Sequence, residues 1–175
     1  MLKDKEKFVQ WIDNHHAALF KHAFWMIGNR ALAEDLVQET FYEAWKNRHS
    51  IKNEDNPFPW LLTVLRRAVY KEHQQARLDT VALTEHHLEN SEIYSQEDID
   101  SLVDLGIGLM SLSTRQRELL LLHSLHGFSY EQISEQLGIP IGTVMSRIAR
   151  ARQMLRVFYT KDEAHEVIVP FRKRK

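Results

Sequence analysis

The run from Phe128 to Arg152 constrains the fold more tightly than any other part of the chain. Ile133 and Leu137 stand four apart, and Val144 and Ile148 repeat that spacing after an interruption. Each set places one apolar stripe along a short helix. Gly138 supplies the left-handed backbone that ends the first helix, and Pro140 and Gly142 punctuate the connection. Thr143 is expected to cap the second helix. Arg147, Arg150 and Ser146 then fall off the apolar stripe. Two helices joined by a tight turn, the second rich in arginine, form the helix-turn-helix layout, in which the second helix enters the major groove of DNA.

A net charge of −1 sits badly with a nucleic-acid partner until the 175 residues are divided. Residues 1–77 carry 12 Lys/Arg against 10 Asp/Glu, and residues 114–175 carry 11 against 6. Between them, residues 78–113 carry 8 Asp/Glu and no Lys/Arg. Two mildly basic modules are thus separated by an acidic segment, and the average conceals them. The chain has no Cys, which excludes disulfides and thiolate metal sites and fits a reducing compartment. Charges fill the start, Met1 to Lys7, where a signal peptide needs its apolar core. No apolar run approaches the ~18 residues of a membrane span. A cytoplasmic protein without membrane insertion is the expectation.

All strong periodicity is helical. Residues 6–28 read as one or two helices with a break near Asn14-His15, and Gly28-Asn29-Arg30 is a turn signal. Helices are expected over about Ala31–Lys46 and Pro59–Arg77, with the polar loop Asn47–Pro59 between them. Another is expected over Asp100–Met110, one from Ser113-Thr114 onward, and the helix-turn-helix runs on to about Tyr159. The fold class is therefore all-α, with two small helical domains joined by a flexible acidic linker. The expected boundaries are 1–77, a linker over 78–107, 108–159, and a basic tail over 160–175. That tail holds Val167-Ile168-Val169, too short for a strand with an identifiable partner.

Two further helices carry chemistry. On the segment 33–45, Val37, Phe41, Ala44, Trp45 and Leu36 form the inner stripe, while Asp35, Gln38, Glu39 and Tyr42 share the opposite face. A merely solvated face usually alternates sign to gain i,i+4 pairs. Every charge from 34 to 43 is negative here, which suits docking onto a basic protein surface. On the segment 60–77, Leu61, Val64, Leu65 and Ala68 are expected to pack inward, and Trp60 with them. Arg66, Tyr70, His73 and Arg77 line the outward face, with Arg67 and Lys71 beside it. Cations interleaved with an aromatic suit a nucleic-acid strand, since rings stack on unpaired bases at ~1–3 kcal/mol each. The preceding loop, including Asn53, could present a pocket for an extruded base.

Ten histidines raise the question of a metal, but His15-His16 and His86-His87 are adjacent pairs that point apart on a helix. His123 and His126 stand i,i+3 without a carboxylate at a suggestive offset, so no metal or other cofactor is expected. No phosphate loop, His-Glu-x-x-His or nucleophile elbow is present, and no enzyme activity is expected.

Taken in order, AEDLVQETFYEAW at 33–45, PWLLTVLRRA at 59–68 and LSTRQRELLLLHSLHGFSYEQISEQLGIPIGTVMSRIARARQML at 112–155 resemble the extracytoplasmic-function (ECF) sigma factors of bacterial RNA polymerase, in the sigma-70 superfamily. The resemblance spans roughly 8–77 and 108–158. It implies a non-catalytic promoter-specificity subunit of the core RNA polymerase, held by an anti-sigma factor until a stimulus. By the same resemblance, Asp35, Gln38, Glu39 and Tyr42 meet the clamp helices of the polymerase's largest subunit. The second module lies against the flap of the second-largest subunit. Promoter DNA at the −10 element falls to Asn53, Arg66, Arg67, Tyr70, Lys71, His73 and Arg77, and at the −35 element to Thr143, Ser146, Arg147 and Arg150. Two positions depart from the family pattern. Arg67 and Lys71 stand where Asn and Asp are frequent, and Met145 stands where a cation commonly precedes Ser-Arg. Met145 could touch a thymine methyl or pack, and packing is the expectation. Two other readings differ in class: a sigma-like adaptor that sequesters an anti-sigma factor, and an operator-binding regulator using the helix-turn-helix alone. The second leaves residues 8–77 unexplained.

Overall fold

A computed structural model of the chain describes residues 2–51, 53–78 and 96–162, with side chains over 4–51, 53–75 and 104–160. The expectations for the Arg77 side chain, the segment 79–95 and the tail from 163 onward lie outside the described residues. Among the described residues there are seven α-helices, one 3-10 turn and no strand, so the all-α expectation holds. The chain divides into two compact units, Met1–Ile99 and Asp100–Lys175.

In the first unit, α1 spans Leu2–Ile27, α2 Arg30–Lys46 and α3 Phe58–Leu78, with a 3-10 turn at Arg48–Ser50. The expected break in α1 does not occur. No Gly or Pro interrupts residues 2–27, Asn14 faces solvent, and the His15 ring lies 5.5 Å from that of Phe58. Exposed Asn14 and half-buried His15 then cost the helix only their small propensity penalty. Gly28 ends α1 at φ 75°, where a side chain would be strained. Asn29 then caps α2, its Oδ1 accepting from the Leu32 amide at 3.0 Å. Leu19, Ala23 and Met26 of α1, Ala33 and Val37 of α2, and Leu61, Leu62, Leu65 and Val69 of α3 are buried where the three helices pack together. Each enclosed leucine contributes roughly 1.5–3 kcal/mol. The inward stripe of α3 is therefore Leu61, Leu62, Leu65 and Val69. Val64 and Ala68, expected inside, stand at its edge because α2 packs along only one flank of the helix.

The second unit is assembled by capping. Here α4 spans Gln96–Ser111, α5 Thr114–Ser124, α6 Tyr130–Leu137 and α7 Ile141–Asp162. Thus residues 96–107 of the stretch expected as linker are helical. Ser113 with Gln116 and Ser129 with Gln132 form two capping boxes that start α5 and α6. Gly138 closes α6 at φ 64°, as its position in the sequence requires. Leu119, Leu122, Ile133, Val144, Ile148 and Ala151 make the core.

Arg117, only 5% exposed, joins α4 to this core. Its Nε donates to the Leu109 carbonyl at 2.8 Å, and its Nη2 donates to the carbonyls of Met110 and Leu112 at 3.2 and 3.1 Å. The Met110 and Leu112 carbonyls lie at and just past the end of α4, where no further helical turn follows, while that of Leu109 also accepts from the Leu112 amide at 3.2 Å. Burial lowers the guanidinium pKa to about 10, which leaves it charged at neutral pH. Tyr159 of α7 also donates to the Asp104 carbonyl at 3.2 Å, and a Cβ at Gly108 would stand 2.8 Å from the Tyr159 hydroxyl.

Arg117→Met keeps the apolar stem and removes the donors, which should cost about 2–4 kcal/mol by stranding buried carbonyls. Urea denaturation followed by the methyl NMR signals of Leu119 and Ile133 checks this, and an unchanged midpoint would refute the clamp. The same signals test His126, whose pKa burial lowers to about 4. An unfolded histidine titrates near 6.5, so the unfolded state binds the extra proton between these values. The contribution to stability is complete above about pH 6.5 and drains away as pH falls toward 4. The midpoint should fall between pH 7 and 5, and His126→Gln should flatten that slope.

Candidate functional site

Three surfaces carry the residues singled out by the sequence. On α2, Leu36, Val37, Phe41 and Ala44 are buried, which turns Asp35, Gln38, Glu39 and Tyr42 to solvent together. Tyr42 is 62% exposed. The acidic run is less uniform in space than in sequence. Arg30 pairs with Glu34 at 3.2 Å and Lys46 with Glu43 at 3.0 Å, with the Lys46 ammonium 5.2 Å from the Tyr42 ring centroid. Asp35 and Glu39 make no ion pair among the described residues, so the negative field is concentrated at mid-helix.

On α3, the expected nucleic-acid face divides in two. Arg66, Tyr70 and His73 are half-buried on one side of the helix. Arg67 and Lys71 are exposed on another and line an open cleft of about 380 Å³ between α2 and α3. Glu39, Glu43 and Asn47 form the opposite wall of that cleft. Trp60, expected in the core, is half-buried and lines the cleft with Val64. An acidic and a basic wall thus face each other over an apolar floor.

The loop before α3 is held by α1, which sequence reading missed. Asn53 is exposed, and its Oδ1 accepts from the Asn56 amide at 3.1 Å, closing a local turn. Lys7 donates to Glu54 Oε2 at 2.8 Å and lies 3.6 Å from Asp55 Oδ1, while Trp11 Nε1 donates to the Glu54 carbonyl at 3.1 Å. Arg48, also missed, sits 4.4 Å from the Trp45 ring centroid and donates to the Trp45 carbonyl at 2.9 Å. The ties from Lys7 and Trp11 join residues 47 and 43 apart, so no local spacing signals them.

On α7 the helix begins at Ile141, three residues earlier than the Val144 start that a Thr143 cap would give. The Pro140 carbonyl accepts from the amides of Thr143 and Val144 at 2.8 and 3.1 Å, so Thr143 lies within the first turn. The Thr143 amide is thus already bonded inside the helix, and its hydroxyl does not stand at the cap position. Val144, Ile148 and Ala151 point inward. Ser146 and Arg150 are exposed, and Thr143 and Arg147 are half-buried. Met145 does not pack as expected: it is 50% exposed, because Val144 already takes the inward position beside it. From Ile141 to Lys161 the helix carries no acidic residue. The pair His123 and His126 serves the turn between α5 and α6. His123 Nδ1 lies 2.9 Å from the Phe128 carbonyl, and its ring 4.7 Å from Tyr130.

Two family models match the chain, Sigma-70 region 2 over residues 11–78 and Sigma-70, region 4 over residues 109–155. The ECF RNA polymerase sigma factor SigL of Mycobacterium tuberculosis is 32% identical over 149 residues, covering 83% of this chain and 84% of the relative. The ECF RNA polymerase sigma factor SigW of Bacillus subtilis is 30% identical over 168 residues, covering 87% and 89%. Among solved structures, the sigma factor RpoE in complex with the anti-sigma factor NepR, from Bartonella quintana, superposes with a TM-score of 0.75 at 32% identity, over 87% of this chain and 96% of that one. CnrH in complex with the cytosolic domain of CnrY gives 0.65 at 25% identity, over 89% and 88%.

Proposed function

The chain belongs to the ECF group of the sigma-70 family and is an alternative sigma factor, and on that premise we propose how its surfaces divide the task. The outer face of α2, with Asp35, Gln38, Glu39 and Tyr42, docks on the clamp helices of the largest polymerase subunit. The loop with Asn53 and the helix α3, through Arg66, Arg67, Tyr70, Lys71, His73 and Arg77, take the −10 element and its opened strand. The start of α7, with Thr143, Ser146, Arg147 and Arg150, reads the −35 element while the second unit rests on the flap of the second-largest subunit. An anti-sigma factor occludes these surfaces until it is released; the RpoE relative was solved with such a partner, which supports that reading.

The carrying observation is the segregation of unlike charge onto different helices. Asp35 and Glu39 stand without ion-pair partners among the described residues on α2, while α7 presents Arg147 and Arg150 with no acid nearby along its length. Complementary charge of this kind steers encounter and suppresses wrong partners. Carboxylates repel phosphates, so α2 suits a basic protein surface, whereas the arginines of α7 suit DNA.

Asp35→Arg combined with Glu39→Arg should weaken binding to core polymerase by about 10- to 100-fold without loss of helix content, since both side chains are exposed. Fluorescence titration against core enzyme measures it, and an unchanged affinity would show that α2 is not the docking face. Arg147→Ala should cost about 1–3 kcal/mol at one base pair of the −35 element, whereas Arg150→Ala should weaken all sequences alike. Transcription from a panel of −35 point variants separates the two. Equal output of the Arg147→Ala holoenzyme from intact and altered elements, with wild type still discriminating, supports the base contact; unaltered discrimination removes it.

A further inference from the structure

Ile51 and residues 53–57 lie in no helix. The two ends of this stretch are anchored by burial, Ile51 at 4% exposure and Pro57 in the buried class. Between them, Asn53 to Asn56 is a solvent-facing turn. Its internal hydrogen bond, Asn56 amide to Asn53 Oδ1, fixes the turn's shape but not its place on the protein. That place is set from α1. Trp11 is 6% exposed, its ring 5.9 Å from that of Phe8, and its indole N–H holds the Glu54 carbonyl. Because the indole is enclosed, the donor is aimed and cannot follow the loop elsewhere. Lys7, one helical turn earlier on the same face, reaches the Glu54 carboxylate at 2.8 Å and that of Asp55 at 3.6 Å.

The second consequence is electrostatic. Glu54 and Asp55 are adjacent exposed acids beside Asn53. On a surface meeting a phosphate backbone, two such charges repel the ligand. Lys7 lies between them and is held protonated, its pKa raised first by the hydrogen bond to Glu54. One cation thus tethers the turn and offsets the charge that would oppose a DNA strand.

We infer that Lys7 and Trp11 are positioning residues for promoter-strand capture, setting the place and the local charge of the Asn53–Asn56 turn from α1. The inference deepens the assignment of this loop to the −10 element and rests on that assignment. Neither residue touches the DNA in this account; both act through the turn.

The test uses holoenzyme reconstituted with the full chain and a promoter duplex taken from a transcript start mapped with this protein, with strand opening read by permanganate reactivity of unpaired thymines. Lys7→Glu should reduce opening by about three- to tenfold, more than the small effect typical of losing an exposed ion pair, because repulsion is added. Lys7→Arg should retain opening, and Lys7→Glu with Glu54→Lys should restore it to within about threefold. A purely structural role at an exposed lysine would not yield rescue by charge exchange. Trp11→Phe, which removes the N–H together with the five-membered part of the enclosed indole, should reduce opening while core affinity stays unchanged. Opening at the wild-type level for both Lys7→Glu and Trp11→Phe, or a Lys7→Glu defect that the exchange does not repair, overturns the inference. Asn53→Ala separates the two levels. If it leaves opening intact, the loop assignment fails and the inference with it; if it lowers opening while the Lys7 and Trp11 variants do not, only the inference fails.

Discussion

The burial of one side of α2 is the constraint on which the first unit depends. Ala33, Leu36, Val37, Thr40, Phe41 and Ala44 are all enclosed by α1 and α3, so the helix has no freedom to rotate about its axis. With the rotation fixed, Asp35, Gln38, Glu39 and Tyr42 can only face outward. The buried Thr40 is compatible because its hydroxyl donates to the Leu36 carbonyl at 2.7 Å, which removes the cost of an orphaned polar group. A charge pattern readable in sequence becomes a surface only through this packing. The same relation holds on α7, where Val144, Ile148 and Ala151 lock the helix and turn Ser146 and Arg150 to solvent.

What the sequence made legible was local and periodic. Gly138 ends α6 in the left-handed region and Gly28 ends α1 likewise, because a positive φ strongly favours glycine whatever the tertiary context. The stripe Leu36, Val37, Phe41 and Ala44 was legible because helical spacing and apolarity coincide there. The failures share one cause, which is that neighbours in space were unknown. Val64 and Ala68 have the right spacing for a core, yet α2 does not cover them, and Trp60 joins them at the cleft. Thr143 has the right chemistry for a cap, but Pro140 starts the helix first. The break expected at Asn14-His15 failed because Asn14 faces solvent and the His15 ring packs near Phe58, so neither interrupts the helix. The ties from Lys7 and Trp11 to the loop at Glu54 link segments more than 40 residues apart and leave no periodic trace.

The cleft between α2 and α3 qualifies a simple picture of separate acidic and basic surfaces. Glu39 belongs both to the outward face of α2 and to a wall of this cleft, opposite Arg67 and Lys71. None of these charges is within ion-pair distance of another across the gap. An open gap retains water, and at high dielectric the attraction of charges several ångströms apart is only on the order of 1 kcal/mol. The walls are therefore oppositely charged without being locked together, and each remains available to a partner that supplies the complementary sign.

Several cations are already committed inside the protein, and this changes how its charge should be counted. Arg117 is spent on three carbonyls at and just past the end of α4, Lys7 on Glu54 and Asp55, and Arg48 on the Trp45 carbonyl and ring. Each fixes a stretch of chain that helical hydrogen bonding leaves open: a helix end, a loop, a turn. Adding them to a tally of basic residues overstates what remains for phosphate. Among the described residues, the arginines and lysines left exposed on these helices are Arg67 and Lys71 on α3 and Arg150, Arg152 and Arg156 on α7, with half-buried Arg147 beside them. A net charge of −1 then ceases to count against a DNA-binding role, because affinity for a phosphate backbone follows from where uncommitted cations cluster rather than from their sum.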